Sequence, residues 1–109
     1  MTEQQRIDAK CAKIKAEYLA TYPICIFCLQ RVHKGACELA HKIRRSETSD
    51  KFSRFELATL KKNTGLAHSI CHNDFDNNPE LAKSYPGYKQ VMKDISEIDH
   101  SIYLKLINR

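Results

Sequence analysis

Asn63-Thr-Gly-Leu-Ala-His68-Ser-Ile-Cys71-His72 places an amide, two imidazoles and a thiol within ten residues, and the reading of this stretch decides the fold. His68 and Cys71 are spaced to turn two donors toward one ion, but a closed structural zinc needs four ligands. The complement lies upstream in Cys25-Ile-Phe-Cys28. Cys25, Cys28, His68 and Cys71 together make a Cys₃His set built from two knuckles. Three thiolates and one imidazole in a tetrahedron suit Zn²⁺. Cys37 stays open as a softer replacement for His68, although it has no partner at knuckle spacing. The two knuckles lie farther apart than those of a simple zinc ribbon. Zinc is therefore expected to clamp the base of an insert that carries His41 and ends at Asn63.

The chain has 109 residues, enough for one domain in a size range where a metal staple adds useful stability. Its 18 Lys+Arg against 13 Asp+Glu give a formal net charge of +5, which leans toward a polyanionic partner. Five cysteines, an odd number, with no leader ahead of them favour metal ligation in a reducing compartment over a disulfide framework, so a cytoplasmic protein is expected. No apolar run approaches a membrane span, and no repeat or low-complexity segment interrupts the chain.

Working outward, Ile7, Cys11, Ile14 and Tyr18 recur at helical spacing and predict an amphipathic helix over about 2–21, closed by Tyr22-Pro23, with Cys11 in the core. Cys37 to Ile43 alternates in the manner of a strand, with His41 and Leu39 on one face. The polar run from Arg44 to Asp50 reads as a surface loop, and Phe52 to Lys62 as either a short helix or an irregular hairpin arm. Asn63-Thr-Gly65 is a turn and Leu66-Ala67 a brief extended piece. The His68/Cys71 knuckle opens a helix that Pro79 terminates or redirects. Val91, Ile95, Ile98, Ile102 and Leu106 mark one long helix over about 88–108, the expected packing partner of the first. The expected class is thus α+β, a zinc-stapled core over about 23–80 bracketed by two helices.

These residues resemble a known family. A Cys-x-x-Cys, the histidine of Leu-Ala-His41-Lys-Ile, Asn63 eight positions before Cys71, and the adjacent Cys71-His72 look like the HNH nuclease motif on a ββα-metal fold. The likeness covers roughly Cys25 to Pro79. Arg45-Ser46, Ser53-Arg54-Phe55 and Asn78-Pro79-Glu80-Leu81 are further similar to small phage and bacterial HNH proteins. The resemblance implies a metal-dependent endonuclease acting on DNA, with His41 as general base, Asn63 holding the hairpin turn and His41, and His72 binding the catalytic ion. Asp76, four residues along the same helix, can share that ion, which the mixed donor set suits to Mg²⁺, Mn²⁺ or another divalent transition metal.

Many members of that family carry Asp, Glu or His just before the base histidine to serve the catalytic ion, whereas this chain has Ala40; Glu38 falls on the opposite strand face from His41. A second function therefore stays open, a catalytically silent zinc-stapled module binding nucleic acid or protein on the same scaffold. Arg44, Arg45, Arg54, Lys61 and Lys62 flank the site in sequence and are candidates for phosphate contacts, with a solvated face as the plainer account. A homodimer, or a phage or bacterial protein partner, is compatible with this reading.

Overall fold

The computed structural model describes residues 1–108 of the chain. It opens with helix α1, Glu3–Thr21, started by a capping box in which the Thr2 hydroxyl accepts from the Gln5 N–H and the Gln5 side chain accepts from the Thr2 N–H. The expected stripe of Ile7, Cys11 and Ile14 is buried. Farther along the helix, the Tyr18 hydroxyl donates to the carbonyls of Lys61 and Thr64 at 3.1 and 3.4 Å.

Strand β1, Glu38–His41, pairs antiparallel with β2, Thr64–Ala67, in a two-stranded sheet that sets Glu38 opposite Ala67 and His41 opposite Thr64. Between the strands the chain makes a long excursion that includes helix α2, Arg54–Thr59. Of the two options for this segment, the helix is the one realised. Ser53 and Glu56 cap its start reciprocally, which offsets its shortness. A single 3₁₀ turn at Lys61–Asn63 then returns the chain to the sheet. Helix α3, Ser69–Asn77, follows β2 directly, and Pro79 stands at the first position of the short helix α4, Pro79–Ala82, where its missing N–H does no harm. The opening stretch thus runs from the last residue of the 3₁₀ turn, Asn63, through β2 and the N-cap His68 into α3.

The single helix expected over about 88–108 is instead two, α5, Tyr88–Ile98, and α6, His100–Ile107. Asp99 breaks the run. Its backbone is extended, and Oδ1 accepts from the Ser101 N–H at 3.1 Å and the Ser101 hydroxyl at 2.7 Å while Oδ2 accepts from Ser49 at 2.7 Å. Aspartate competes for nearby backbone donors and so favours a cap over a helix interior. The apolar stripe continues through the break, because Ile95, Ile98 and Ile102 all stay buried in the same core as Phe27, Leu66 and Phe75. The expected pairing of the terminal helices is also corrected. α1 packs on α2 and the sheet, over a separate small cluster of Ile7, Cys11 and Ala58, while α5 packs chiefly on α6 and the 61–63 turn. Among the described residues no helix is long and apolar enough to cross a membrane.

The Ser49 hydroxyl, followed by that of Ser101, holds the Asp99 carboxyl below the ordinary carboxylate range. A depressed folded-state value contributes stability above about pH 3.9 that is lost as pH falls through it. Asp99→Ala is expected to cost about 2 kcal/mol at pH 7, the sum of a lost cap and buried hydrogen bonds. Urea titration checks this. A loss that persists undiminished well below the carboxylate range contradicts the assignment.

Candidate metal centre and adjoining histidine cluster

The first knuckle is formed by the chain reversing just after Pro23. The Cys25 N–H donates to the Gln30 carbonyl at 2.9 Å, the Leu29 N–H donates back to the Cys25 carbonyl at 3.0 Å, and Leu29 itself takes the left-handed conformation with φ 61°. Two glycines make room for this turn. A Cβ on Gly87 would lie 1.9 Å from the Ile26 carbonyl oxygen, and one on Gly65 would lie 2.4 Å from Ile26 Cγ2. Backbone bonds from Gly87 N–H to the Phe27 carbonyl at 2.7 Å and from Ile26 N–H to the Leu66 carbonyl at 2.9 Å complete the wedge.

The second knuckle sits at the start of α3, with His68 at the N-cap position and Cys71 in the first turn. The ligand atoms of Cys25, Cys28, His68 and Cys71 all lie within 4.8 Å of one another, and among the described residues this is the one such group; Cys37 is not part of it. Cys28 Sγ and Cys71 Sγ stand 3.4 and 4.0 Å from His68 Nδ1. A tetrahedron with zinc bond lengths has edges of about 3.5–3.8 Å, so the set is compatible with a zinc site. Burial pushes the Cys25 thiol up, but backbone N–H groups of Cys28, His68 and Phe27 outweigh it and bring the value down to about 7. Cys71 is pushed up to about 12 by burial and then by its charged neighbours Cys25 and Cys28. Three sulfurs this close cannot all ionise unless a cation is supplied, and the donor chemistry suits a divalent ion of zinc's kind.

Beyond this cluster, His41 is buried at the end of β1 with Nε2 2.8 Å from the Ala58 carbonyl and 3.9 Å from Cys11 Sγ. A carbonyl only accepts, so Nε2 carries the hydrogen and a neutral ring has its lone pair on Nδ1. Burial holds His41 below the ordinary histidine value against the opposing Ala58 bond, with Arg45 and His72 lowering it further. Asn63 is wholly buried. Its Oδ1 accepts from the Ile43 N–H at 2.7 Å, and Nδ2 donates to the carbonyls of Ile43 and Leu57 at 3.3 and 3.1 Å.

His72 and Asp76 come together as the helical spacing implied, with Nε2 and Oδ2 3.4 Å apart. Glu38 is the residue that sequence reasoning missed. Its Oε1 stands 2.6 Å from His72 Nδ1, and its Oε2 accepts from the Ser69 hydroxyl at 3.2 Å. The available signal was register rather than strand face. Glu38 pairs with Ala67, and the chain enters α3 immediately afterwards. Glu38 thus meets one ring nitrogen and Asp76 the other, an arrangement that either a proton or a metal cation between Nε2 and the Asp76 oxygen would satisfy. Phe27 stacks on His72 with centroids 6.3 Å apart, joining this pair to the knuckle. Ala40 is fully buried opposite Gly65 and brings no donor.

Each of the five flanking cations meets an acid. Arg44 pairs with Asp76 at 3.3 Å, Arg45 with Asp8 at 3.5 Å, Arg54 with Glu3 at 3.8 Å, Lys61 with Glu17 at 2.6 Å and Lys62 with Glu97 at 2.8 Å. Most of these side chains are well exposed, where such pairs are weakly held. Comparison with protein-family models, with curated proteins and with solved structures yields no match.

Gly87→Ala is expected to destabilise the fold by at least about 3 kcal/mol, since its Cβ would collide with backbone rather than with a side chain that can move. Gly35→Ala, where nothing lies within 4 Å, is the matched control. Thermal unfolding and the reactivity of Cys25 and Cys28 toward a thiol reagent should separate the two variants. Equal behaviour would remove the glycine from the knuckle's construction.

Proposed function

We propose that this protein is a zinc-stapled HNH-type endonuclease that hydrolyses phosphodiester bonds in DNA with the help of a second, exchangeable divalent ion. One observation carries the reading. The Ala58 carbonyl fixes the His41 tautomer, and among the described residues no protein group bonds Nδ1, so a buried, neutral imidazole keeps a lone pair for a proton. In this reading a water molecule gives its proton to His41 Nδ1 as its oxygen attacks phosphorus, and the bond to the leaving oxygen breaks. Asn63 is a positioning residue, tying Ile43 and Leu57 on either side of the His41 contact. His72 and Asp76 would hold the exchangeable ion, which supplies neutralising charge to the phosphate when bound. Glu38 orients His72 through its other nitrogen, the kind of support that metal-binding histidines generally have. Cys25, Cys28, His68 and Cys71 hold the zinc. Arg45, Arg54, Lys61 and Lys62 can exchange their exposed acidic partners for phosphates, and Arg44 is freed to do so when Asp76 turns to the ion.

A silent binding module on the same scaffold is the second reading. Two observations favour it: Ala40 leaves the exchangeable ion with the His72/Asp76 pair alone, and all five flanking cations already have acidic partners.

Incubation of supercoiled plasmid with the purified protein and Mg²⁺, Mn²⁺ or Ni²⁺ should give nicked or linear product, at a rate reduced at least about 100-fold in His41→Ala. Activity requires neutral His41 and is lost as pH falls through its folded-state value. Because that value lies below about 6.5, more than half of the plateau rate should remain at pH 6.5. No cleavage with any metal, or equal cleavage by the variant, would leave only the binding module. Separately, elemental analysis after dialysis should find about one zinc per chain, and a strong chelator should unfold the protein. A metal-free protein with the same unfolding midpoint contradicts the staple.

A further inference from the structure

Cys11 is a buried thiol to which the nuclease reading gives no part. It lies on α1 in the small cluster with Ile7 and Ala58, 7% exposed, and outside the stretch that carries the family resemblance. Three polar groups nevertheless meet its sulfur. Sγ lies 3.4 Å from the Ala58 carbonyl oxygen, 3.9 Å from His41 Nε2 and 3.5 Å from Arg45 Nη2. A carbonyl oxygen has two lone pairs, and the His41 Nε2–H takes one of them at 2.8 Å. The thiol hydrogen takes the other. The lone pairs of the sulfur then accept from Arg45, whose Nη1 is held at 3.5 Å by Asp8, one turn earlier on α1. A hydrogen-bonded water needs about 2.9 Å on each side, so none fits between the sulfur and Nε2.

We infer that Cys11 is a positioning residue for the general base, closing the Nε2 side of the His41 ring and holding it on the Ala58 carbonyl, so that Nδ1 keeps the lone pair that takes the proton. The inference rests on the nuclease reading above for the proton transfer, and it gives α1 a part in the site. The other tautomer, with its hydrogen on Nδ1, would turn an Nε2 lone pair toward the lone pairs of the Ala58 oxygen. A water at Nε2 would remove that penalty, because water donates where a carbonyl cannot. The sulfur excludes it. Arg45 is exposed and Cys11 is not, so the guanidinium covers the sulfur from the solvent side.

Nitrogen chemical shifts of the His41 ring, recorded on the zinc-loaded full-length protein at a pH above the histidine range, report the tautomer independently of cleavage. In the wild type the hydrogen should lie on Nε2. Cys11→Ala should populate the Nδ1–H tautomer detectably and lower the rate of plasmid cleavage with Mg²⁺ or Mn²⁺ at least about fivefold, the rate equivalent of one hydrogen bond. Cys11→Ser keeps a donor for Ala58 and an acceptor for Arg45, and it should recover most of both. Ile7→Val, which trims the same cluster, should leave the tautomer as it is and the rate within about twofold. An unchanged tautomer or an unchanged rate in Cys11→Ala overturns the inference, as does a serine variant no better than alanine or an equal rate loss in Ile7→Val. A wild type that never cleaves plasmid removes the nuclease reading and the positioning role with it. Cleavage by the wild type with the tautomer unmoved in Cys11→Ala removes the positioning role alone.

Discussion

The Asn63 side chain bonds both the N–H and the C=O of Ile43, 20 positions earlier in the chain. It does so with no exposed surface and donates to the Leu57 carbonyl as well. A buried amide that satisfies three backbone contacts acts as a rivet, because an opening that frees any of those groups without water strands it at a cost of about 1–3 kcal/mol each. The rivet sits where the excursion between β1 and β2 must close. It sets Ile43 against the turn that starts β2 and Leu57 against the same point. The next residue, Ala58, therefore presents its carbonyl to His41. Strand pairing, placement of α2 and the histidine tautomer all follow from one side chain.

Helix α3 distributes that order to two sites. Cys71 and His72 are neighbours in sequence but about 100° apart around the helix, so one turns to the sulfur cluster and the other to Glu38 and Asp76. Phe27, the residue before Cys28, stacks on both His72 and Phe75. Tyr85 donates to the buried Asp74 at 2.6 Å, which ties the helix to the turn after α4 and raises the tyrosine's own pKa. A shift of the first knuckle would therefore move the histidine through direct ring contact.

Local patterns in the sequence carried much of this. The paired knuckle spacing picked out the four side chains whose donor atoms converge, the three-and-four spacing located α1, and Pro79 marked the end of α3. The Ser53-x-x-Glu56 signature of a capped helix was also present, but the irregular apolar spacing of Phe52, Phe55 and Leu60 masked it. What escaped depended on tertiary partners. The periodicity of Val91 through Leu106 runs unbroken across Asp99, and the Ser49 hydroxyl from a distant loop adds to the local Ser101 bonds that favour a cap there. Glu38 belongs to the His72 site through strand register, which a count of alternating faces does not include. The acidic partners of Arg44, Arg45, Arg54, Lys61 and Lys62 come from three different helices, so nothing adjacent in the chain announces them.

Cys28 and His68 stand 40 positions apart, and the two strands pair residues 23 to 29 positions apart. Such non-local pairings come late in folding, since loop closure must precede the contacts that stabilise it. On a ribosome the consequence is an order of events. Until Ala67 has emerged, β1 has an unpaired edge, the first cysteine pair holds only half a ligand set, and part of the apolar stripe of α1 has nothing to cover it. The nascent chain carries its aggregation-prone surfaces first and the residues that cover them afterwards.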